Sequence, residues 1–156
     1  MATGRRLHEA LSGRRLTRLE YEHALPRLQD ALLDAQFTLA RSRRHAVVMI
    51  VTGIPAAGRS EVVNELLGWL DPKLATVYGF HAPNDVEHER PTLWRYWRLL
   101  PPKGRIAILH GGWYQDLLLG AAGLGMRAES NPAQLRQGVA RVRQLELALE
   151  RERWLP

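Results

Sequence analysis

A short loop framed by two glycines is the part of this sequence whose residue types and spacing best suit chemistry. Gly53, Gly58 and Ser60 match the pattern G-x-x-x-x-G-K-S/T, and Arg59 stands in the position of the lysine. Glycines let such a loop fold back so that successive backbone N–H groups point at one anion, and a following helix adds the positive end of its dipole. The Ser60 hydroxyl stands where these loops ligate Mg²⁺. The pattern predicts phosphate binding by these four residues, with Arg59 as the catalytic cation and Ser60 as a metal ligand.

Two residues of the same loop weaken this prediction. Pro55 has no N–H, so it removes one donor to an anion, and its fixed φ stiffens the loop. Arg59 keeps the positive charge, but its bulky planar group does not fit the space of a lysine unless a neighbour moves. A tight glycine turn between a strand and a helix, without any ligand, therefore stays open as an alternative.

A second group of cations lies further along the chain. Arg95 and Arg98 are three residues apart on a predicted short helix, a spacing at which two side chains can face one phosphate chain. The planar guanidinium group also matches phosphate oxygens. We predict that Arg95 and Arg98, with Arg90 beside them, bind phosphate. The alternative is a solvated helix face that Glu87 and Glu89 stabilise.

Other polar groups give weaker signals. The spacing of His81, Asp85 and His88 could hold a metal ion, but on a polar loop such spacing is more often coincidence. His110 and Asp116 are near each other in sequence, and nothing further supports an acid–base pair. The sequence contains no cysteine, which excludes thiolate metal sites and cysteine nucleophiles.

The elements that must position these residues alternate between strands and helices. The β-branched run "AVVMIV" indicates a buried strand directly before the loop, and apolar residues at steps of three and four indicate helices. This alternation predicts an α/β fold with a P-loop-type parallel sheet flanked by helices. Three strands make a small sheet, so either further short strands exist or a partner covers its edges. The predicted strands are Ala46–Val51, Leu74–Phe80 and Arg105–Leu109, and the predicted helices are Leu25–Arg44, Glu61–Leu70, a short aromatic helix within 91–100, and Pro132–Arg153.

Two of these helices have a clear apolar face. Pro26 fits the first turn of the first helix, and Ser130 or Asn131 fits the N-cap of the last one. For the last helix the apolar face predicts packing on the sheet, with an oligomer contact as the alternative. The face of the first helix consists of Leu25, Leu28, Leu32, Ala35 and Leu39, and that of the last consists of Leu135, Val139, Val142, Leu145 and Leu149.

The bulk properties bound the number of domains and the class of partner. The 156 residues suit one domain, which we place at 16–156 after a basic, flexible arm at 1–15. The net charge is +6, and the only lysines are Lys73 and Lys103. The arginine excess favours polyanionic partners, although genomic base composition explains it equally well. The longest apolar run is too short to cross a membrane and no secretory signal is present, so we expect a cytoplasmic protein without a membrane partner.

Three stretches together carry a resemblance to a known family. They are "GIPAAGRSEVVNELLGWLDP", "ERPTLWRYWRLLPPKGRIAIL" and "GGWY", and "LELAL" adds a glutamate and a leucine at Glu146 and Leu149. In their order and spacing they resemble the polyphosphate kinase 2 family, most of all the N-terminal copy in tandem polyphosphate:AMP phosphotransferases. The resemblance implies a P-loop kinase fold, and it implies transfer of phosphate between polyphosphate and nucleotides with Mg²⁺.

The departures from the family pattern fall on the positions that carry chemistry. Active members have G-x-D-x-A-G-K-G in the loop, where this sequence has Pro55 for the acid and Arg59 for the lysine. They have D-R-S-W/H-Y after a strand, where this sequence begins with His110 and Gly111, and Asp116 stands where an arginine is usual. The sequence also stops before the lid and the last strand that the family places after the "LELAL" helix.

The resemblance and the departures together predict a catalytically degenerate domain. We expect it to bind polyphosphate or nucleotide phosphates, or to act as a structural partner of a catalytic copy of the family or as a homo-oligomer. The first alternative is an active polyphosphate-dependent nucleotide phosphotransferase that uses Mg²⁺. The second is a basic nucleic-acid-binding module, for which the sequence contains no motif.

Overall fold

Four parallel strands form one sheet in the computed structural model, which describes residues 16–54, 56–91, 93–121, 132–152 and 154–155. The strands are β1 (Ala46–Val51), β2 (Ala75–Gly79), β3 (Ile106–His110) and β4 (Trp154–Leu155), in the order β2-β3-β1-β4. β1 and β3 are neighbours in the middle, and their last residues, Val51 and His110, are register partners. The loops that follow these two strands therefore leave the same edge of the sheet side by side. The predicted arm at 1–15 and the predicted N-cap of the last helix lie outside the described residues.

The predicted parallel sheet is confirmed, with one strand more than the sequence indicated. β4 follows the last helix and pairs with β1 over two residues, so the alternative that a further short strand exists is confirmed. Two apolar residues after a run of charged ones give too short a pattern to predict a strand. β1 has the predicted bounds, and β2 and β3 differ from the predicted ranges by one residue at each end.

Six helices are present within the described ranges. The first helix begins seven residues before the predicted start, because a capping box fixes it: Glu20 N donates to Thr17 Oγ1 at 3.2 Å, and Thr17 N donates to Glu20 Oε2 at 2.8 Å. Pro26 consequently lies inside that helix and not in its first turn, which corrects the prediction. The helices are α1 (Arg18–Ser42), α2 (Arg59–Trp69), α3 (Asp85–His88), α4 (Trp94–Trp97), α5 (Gln115–Ala121) and α6 (Pro132–Arg151).

The sheet is covered on both faces, as an unalternating apolar strand requires. Consecutive β3 residues point to opposite sides: Ala107 and Leu109 join one buried cluster, and Ile106 and Ile108 join the other. The first cluster contains Val142, Leu145 and Leu149 of α6, and the second contains Val63 of α2. The core therefore holds β1 and β3 rigidly under the loops that leave their carboxyl ends.

The apolar faces of the two long helices are only partly buried. Leu28 of α1 is 56% exposed and Val139 of α6 is 52% exposed, which corrects two predicted core positions. The most buried residue of α1 is polar: Gln36 is 2% exposed, and its amide bonds both backbone groups of Asp71. Within the described part of the chain, no helix combines the length and the apolar character needed to span a membrane.

Candidate phosphate-binding site

The loop between β1 and α2 has the backbone shape of an anion-binding nest. Ala57 N donates to Ile54 O at 3.2 Å and closes a turn. Ala56 (φ 62°) and Gly58 (φ 76°) have left-handed backbones, whereas Ala57 between them does not. Alternation of handedness turns successive N–H groups toward one point. A left-handed alanine costs about 1–2 kcal/mol, so the surrounding structure imposes this shape against a local preference.

The first turn of α2 adds donors to this loop. Gly58 is the N-cap, and no side chain caps the helix there, so the N–H groups of the first turn keep their capacity to bind a ligand. Val62 N bonds Gly58 O at 3.1 Å and thereby closes the first turn. The strand, turn and helix that the sequence predicted around Gly53, Gly58 and Ser60 are therefore present. Binding of phosphate by these residues stays a prediction.

Arg59 reaches across the loop to a residue of another element. Its Nη1 donates to Gln115 Oε1 at 2.8 Å, and Gly53 N donates to the same oxygen at 3.3 Å. Gln115 Nε2 in turn donates to Gly53 O at 3.0 Å. A Cβ on Gly53 would lie 3.3 Å from Ala57 Cβ and 3.6 Å from Arg59 Cγ, so a larger residue there would have to displace Ala57 slightly. Sequence reasoning missed Gln115 because its partners are 56 and 62 residues away and it belongs to no motif.

The exit loop of β3 lies beside the phosphate loop. Gly111 N donates to Val51 O at 2.9 Å, which continues the pairing of β3 with β1 by one residue. Gly112 has φ 57°, and a Cβ there would lie 2.5 Å from Ile50 Cγ2. His110 Nε2 is buried and has no hydrogen-bond partner within the described residues. The two glycines thus bring the backbone close to β1 and leave no side chain where the family pattern has arginine and serine.

Trp113, Tyr114 and Glu146 form a polar link between this exit loop and α6. Trp113 Nε1 donates to Glu146 Oε1 at 3.3 Å, and the Tyr114 hydroxyl donates to the same oxygen. Burial, together with the hydrogen bond to Glu146 and the charge of that carboxylate, raises the pKa of Tyr114 to about 12. The aromatic residues of "GGWY" therefore contribute mainly to packing: Trp113 is 3% exposed and belongs to the core.

Arg95 and Arg98 are not brought to one face. Arg95 is 8% exposed, its Nη2 donates to His81 O at 2.8 Å, and its Nε lies 3.5 Å from Glu87 Oε1. Its guanidinium carbon lies 5.2 Å from the ring centroid of Phe80. These contacts hold the chain before α3 against α4, so Arg95 has the surroundings of an internal anchor. Arg95 and Glu87 therefore do not form a solvated helix face, which corrects that alternative, and phosphate binding by Arg95 stays a prediction.

Arg98 is exposed and lies against an indole ring. Its guanidinium carbon is 5.1 Å from the ring centroid of Trp94, and that of Arg90 is 5.6 Å from the same centroid. Such contacts contribute about 0.5–1 kcal/mol each at exposed sites. Two arginines held near one tryptophan keep a local positive charge at the surface. Phosphate binding by Arg98 therefore stays a prediction, with Arg90 and not Arg95 as its neighbour.

Similarity to known proteins covers nearly the whole sequence. The model of the polyphosphate kinase 2 family matches residues 15–154. The chain belongs to the polyphosphate kinase 2 family. The resemblance inferred from the glycine loop, the "WRYW" region and "GGWY" is thereby confirmed.

Curated relatives in the polyphosphate kinase 2 family are much longer than this chain. The polyphosphate:AMP phosphotransferase of Pseudomonas aeruginosa is 48% identical over 98 residues, which is 63% of this chain and 20% of that protein. The polyphosphate:AMP phosphotransferase of Pseudomonas syringae pv. tomato is 39% identical over 129 residues, which is 83% of this chain and 25% of that protein. The chain therefore spans a fifth to a quarter of the length of these two relatives.

Solved structures of the family share the fold. A crystal structure of a polyphosphate kinase 2 from Pseudomonas aeruginosa superposes with a TM-score of 0.81 at 38% identity, over 92% of this chain and 30% of that one. Polyphosphate kinase 2 from Arthrobacter aurescens TC1 gives a TM-score of 0.77 at 24% identity, over 92% of this chain and 50% of that one. The predicted P-loop kinase-like fold is confirmed.

Kinases of the polyphosphate kinase 2 family are generally metal dependent, and Ser60 is the residue of this chain that was predicted to hold Mg²⁺. Ser60 offers one exposed hydroxyl, and β3 ends in His110, Gly111 and Gly112 without a carboxylate. Mg²⁺ prefers hard oxygen ligands, whereas imidazole suits transition metals. No group of three or more His, Asp or Glu side chains that could hold a metal occurs within the described ranges. Metal binding by Ser60 stays a prediction.

Proposed function

We propose that this chain is a phosphate-binding domain of the polyphosphate kinase 2 family that does not itself transfer phosphate. Its ligand would be polyphosphate or the phosphate groups of a nucleotide. One observation supports this best: the loop between β1 and α2 has the shape of an anion nest, while the adjacent end of β3 lacks a carboxylate. The first feature serves binding, and the second removes a part that catalysis uses.

The proposed ligand contacts follow from the geometry of the loop. The Gly53 N–H, the backbone N–H groups near Ala57 and those in the first turn of α2 would donate to the bound phosphate, and the Arg59 guanidinium would add a charge-assisted bond. Arg98 and Arg90 at the surface would attract the rest of a phosphate chain.

Magnitudes argue against efficient transfer. Phosphoryl transfer is catalysed by positioning and by neutralisation of charge, and a single cationic group contributes a factor of about 10³–10⁵ in rate. His110 and Gly111 replace the aspartate and the arginine of the family pattern, and Pro55 replaces the loop acid. The combined loss would leave little activity.

Incubation of the purified chain with polyphosphate, Mg²⁺ and AMP or ADP tests this proposal. We expect no newly phosphorylated nucleotide, together with measurable binding of polyphosphate by calorimetry. Arg59→Ala should abolish the binding, and Arg136→Ala, which removes an equal charge from an exposed site on α6, should not. The polyphosphate:AMP phosphotransferase of Pseudomonas aeruginosa serves as the positive control for turnover. Robust turnover by this chain would contradict the proposal.

An active phosphotransferase is the second candidate function. The position of Arg59 favours it, because a cation does reach over the loop and could replace the lysine. In that case Arg59→Ala would abolish turnover and leave the fold intact, as judged by circular dichroism.

A role beside a catalytic copy of the family is a further form of the first proposal. Its test is light scattering of the chain alone and mixed with a full-length relative, in which a mixed species should appear.

A further inference from the structure

We infer that Gln115 is a latch on the phosphate loop: its amide oxygen takes the donors that a phosphate oxygen would use, so a ligand must displace it. This inference rests on the proposed function, since it concerns the same loop. Gln115 would thus be a positioning residue that sets the affinity of the site. A phosphate group would take its place between Gly53 and Arg59.

The contacts of Gln115 have the form of a bound ligand. The Oε1 atom accepts from Gly53 N at 3.3 Å and from Arg59 Nη1 at 2.8 Å, one backbone donor and one cationic donor. The Nε2 atom donates to Gly53 O at 3.0 Å, so the amide group binds both polar groups of the same glycine. Gln115 is half-buried at the start of α5, and that position fixes the direction from which its amide enters the loop.

The chemistry of the two acceptors decides which one Arg59 prefers. An amide oxygen is neutral, whereas a phosphate oxygen is anionic, so a phosphate adds the attraction between opposite charges to the hydrogen bond that Arg59 already makes with the amide. Arg59 would therefore exchange Gln115 for a phosphate. The exchange lowers the affinity. Only molecules whose loop is free of Gln115 can bind phosphate, so the apparent dissociation constant is the intrinsic one divided by the fraction of such molecules. A variant without this amide should bind the anion more tightly than the wild type.

Two substitutions of Gln115 distinguish a latch, which competes with phosphate, from a residue that only stabilises the loop. Gln115→Met has nearly the same length and no amide, so it should bind tripolyphosphate about tenfold more tightly than the wild type, by release of the closed state. Gln115→Glu puts a carboxylate against Arg59, so this variant should bind tripolyphosphate more weakly than the wild type. Affinities are measured by calorimetry at one pH and one ionic strength. Gln137→Met, an exposed substitution on α6, is the matched control and should leave the affinity unchanged.

A measurement on the wild type does not depend on how a variant folds. The side-chain amide resonances of Gln115 can be followed by NMR during a titration with tripolyphosphate. A latch predicts that they move to the positions of a solvent-exposed glutamine as the site fills. Resonances that stay unchanged at saturation would overturn the inference.

The outcomes also distinguish this inference from the proposed function. If the wild type binds tripolyphosphate through Arg59 but Gln115→Met binds equally or more weakly, the latch is wrong and phosphate binding stands. If only Gln115→Met binds, the latch closes the site in the wild type, which supports the inference. If neither protein binds while both are folded, the latch and the proposed function are both wrong.

Discussion

His110 places a ring nitrogen inside the protein without a matching partner. Its Nε2 is buried and forms no hydrogen bond with any described residue. A buried polar group without a partner costs about 1–3 kcal/mol, so His110→Leu should leave the free energy of unfolding unchanged or raise it by about 1 kcal/mol. Urea unfolding measures this, with the exposed His88→Leu as the control. A large loss of stability would mean that His110 has a partner in solution.

Tyr114 should make the stability depend on pH in the alkaline range. Its pKa is raised to about 12 in the folded chain, above the ordinary value of 10.0. Below the ordinary value the hydroxyl is protonated in both states, and its bond to Glu146 stabilises the folded state by roughly 1–2 kcal/mol. As the pH rises from the ordinary to the raised value, the unfolded chain loses this proton first, so the contribution is lost.

Tyr114→Phe removes both the bond and its titration. At neutral pH the variant should be less stable than the wild type, and the gap should narrow as the pH rises through the alkaline range. Thermal unfolding at a series of pH values measures the gap, and the exposed Tyr21→Phe should follow the wild-type curve. A gap that stays constant would show that folding does not raise the pKa of Tyr114.

The surroundings of single candidate residues were predictable only where their pattern is local. Gly53, Gly58 and Arg59 stand within one short loop, and the turn that joins them forms from neighbours in sequence. The contacts of Arg95 with His81 and of Arg59 with Gln115 join separate elements, so spacing along the chain could not reveal them. Because the partners of an arginine decide whether it is available to a ligand, sequence gives its charge and structure gives its role.

Gly112 should tolerate no side chain, because two elements approach each other there. A Cβ at this position would lie 2.5 Å from Ile50 Cγ2, and the φ of 57° disfavours any L-residue. Gly112→Ala should cost about 2–4 kcal/mol through strain and displacement of β1. Gly68→Ala in α2, where a Cβ would meet nothing within 4 Å, is the control and should be neutral or stabilising.

The cause of that cost can be separated by a second substitution. Ile50→Leu removes the Cγ2 methyl on the branched Cβ that Gly112 faces, so Gly112→Ala should cost less in this background. Chemical denaturation of the four proteins of the cycle gives the difference. Equal costs in both backgrounds would assign the whole effect to the backbone angle.

Elements were predictable where one physical signal dominates. β1 is apolar throughout and ends at a glycine loop, so its bounds follow from the sequence alone. The predicted start of α1 was wrong because the capping box of Thr17 and Glu20 begins the helix before the apolar periodicity does. The burial of Gln36 could not be predicted, since its partner Asp71 lies 35 residues away. Polar contacts between elements are the part that a pattern within one element cannot show.

At the scale of the whole molecule, the net charge and the sheet topology predict different kinds of binding. A net charge of +6 attracts any polyanion, including nucleic acid. The parallel sheet instead directs binding to one edge, where the loops after β1 and β3 lie together. If the loops dominate, the chain is a phosphate-loop domain, and if the net charge dominates, it binds through a general basic surface. The two cases differ in how salt and single substitutions change the affinity for polyphosphate.

Binding of polyphosphate should depend more on Arg59 than on total charge. A surface that binds through many cations loses affinity steeply with salt, by a slope of about 0.7 per phosphate contact for a single strand, and treats all exposed arginines alike. We expect Arg59→Ala to abolish polyphosphate binding at about 50 and about 200 mM salt, while Arg136→Ala changes it little. Fluorescence anisotropy with labelled polyphosphate and labelled single-stranded DNA measures both ligands. The opposite outcome is that the two substitutions lower the affinities for polyphosphate and for single-stranded DNA equally, with the same steep salt dependence. In that case the basic surface binds both ligands, and the chain acts as a nucleic-acid-binding module.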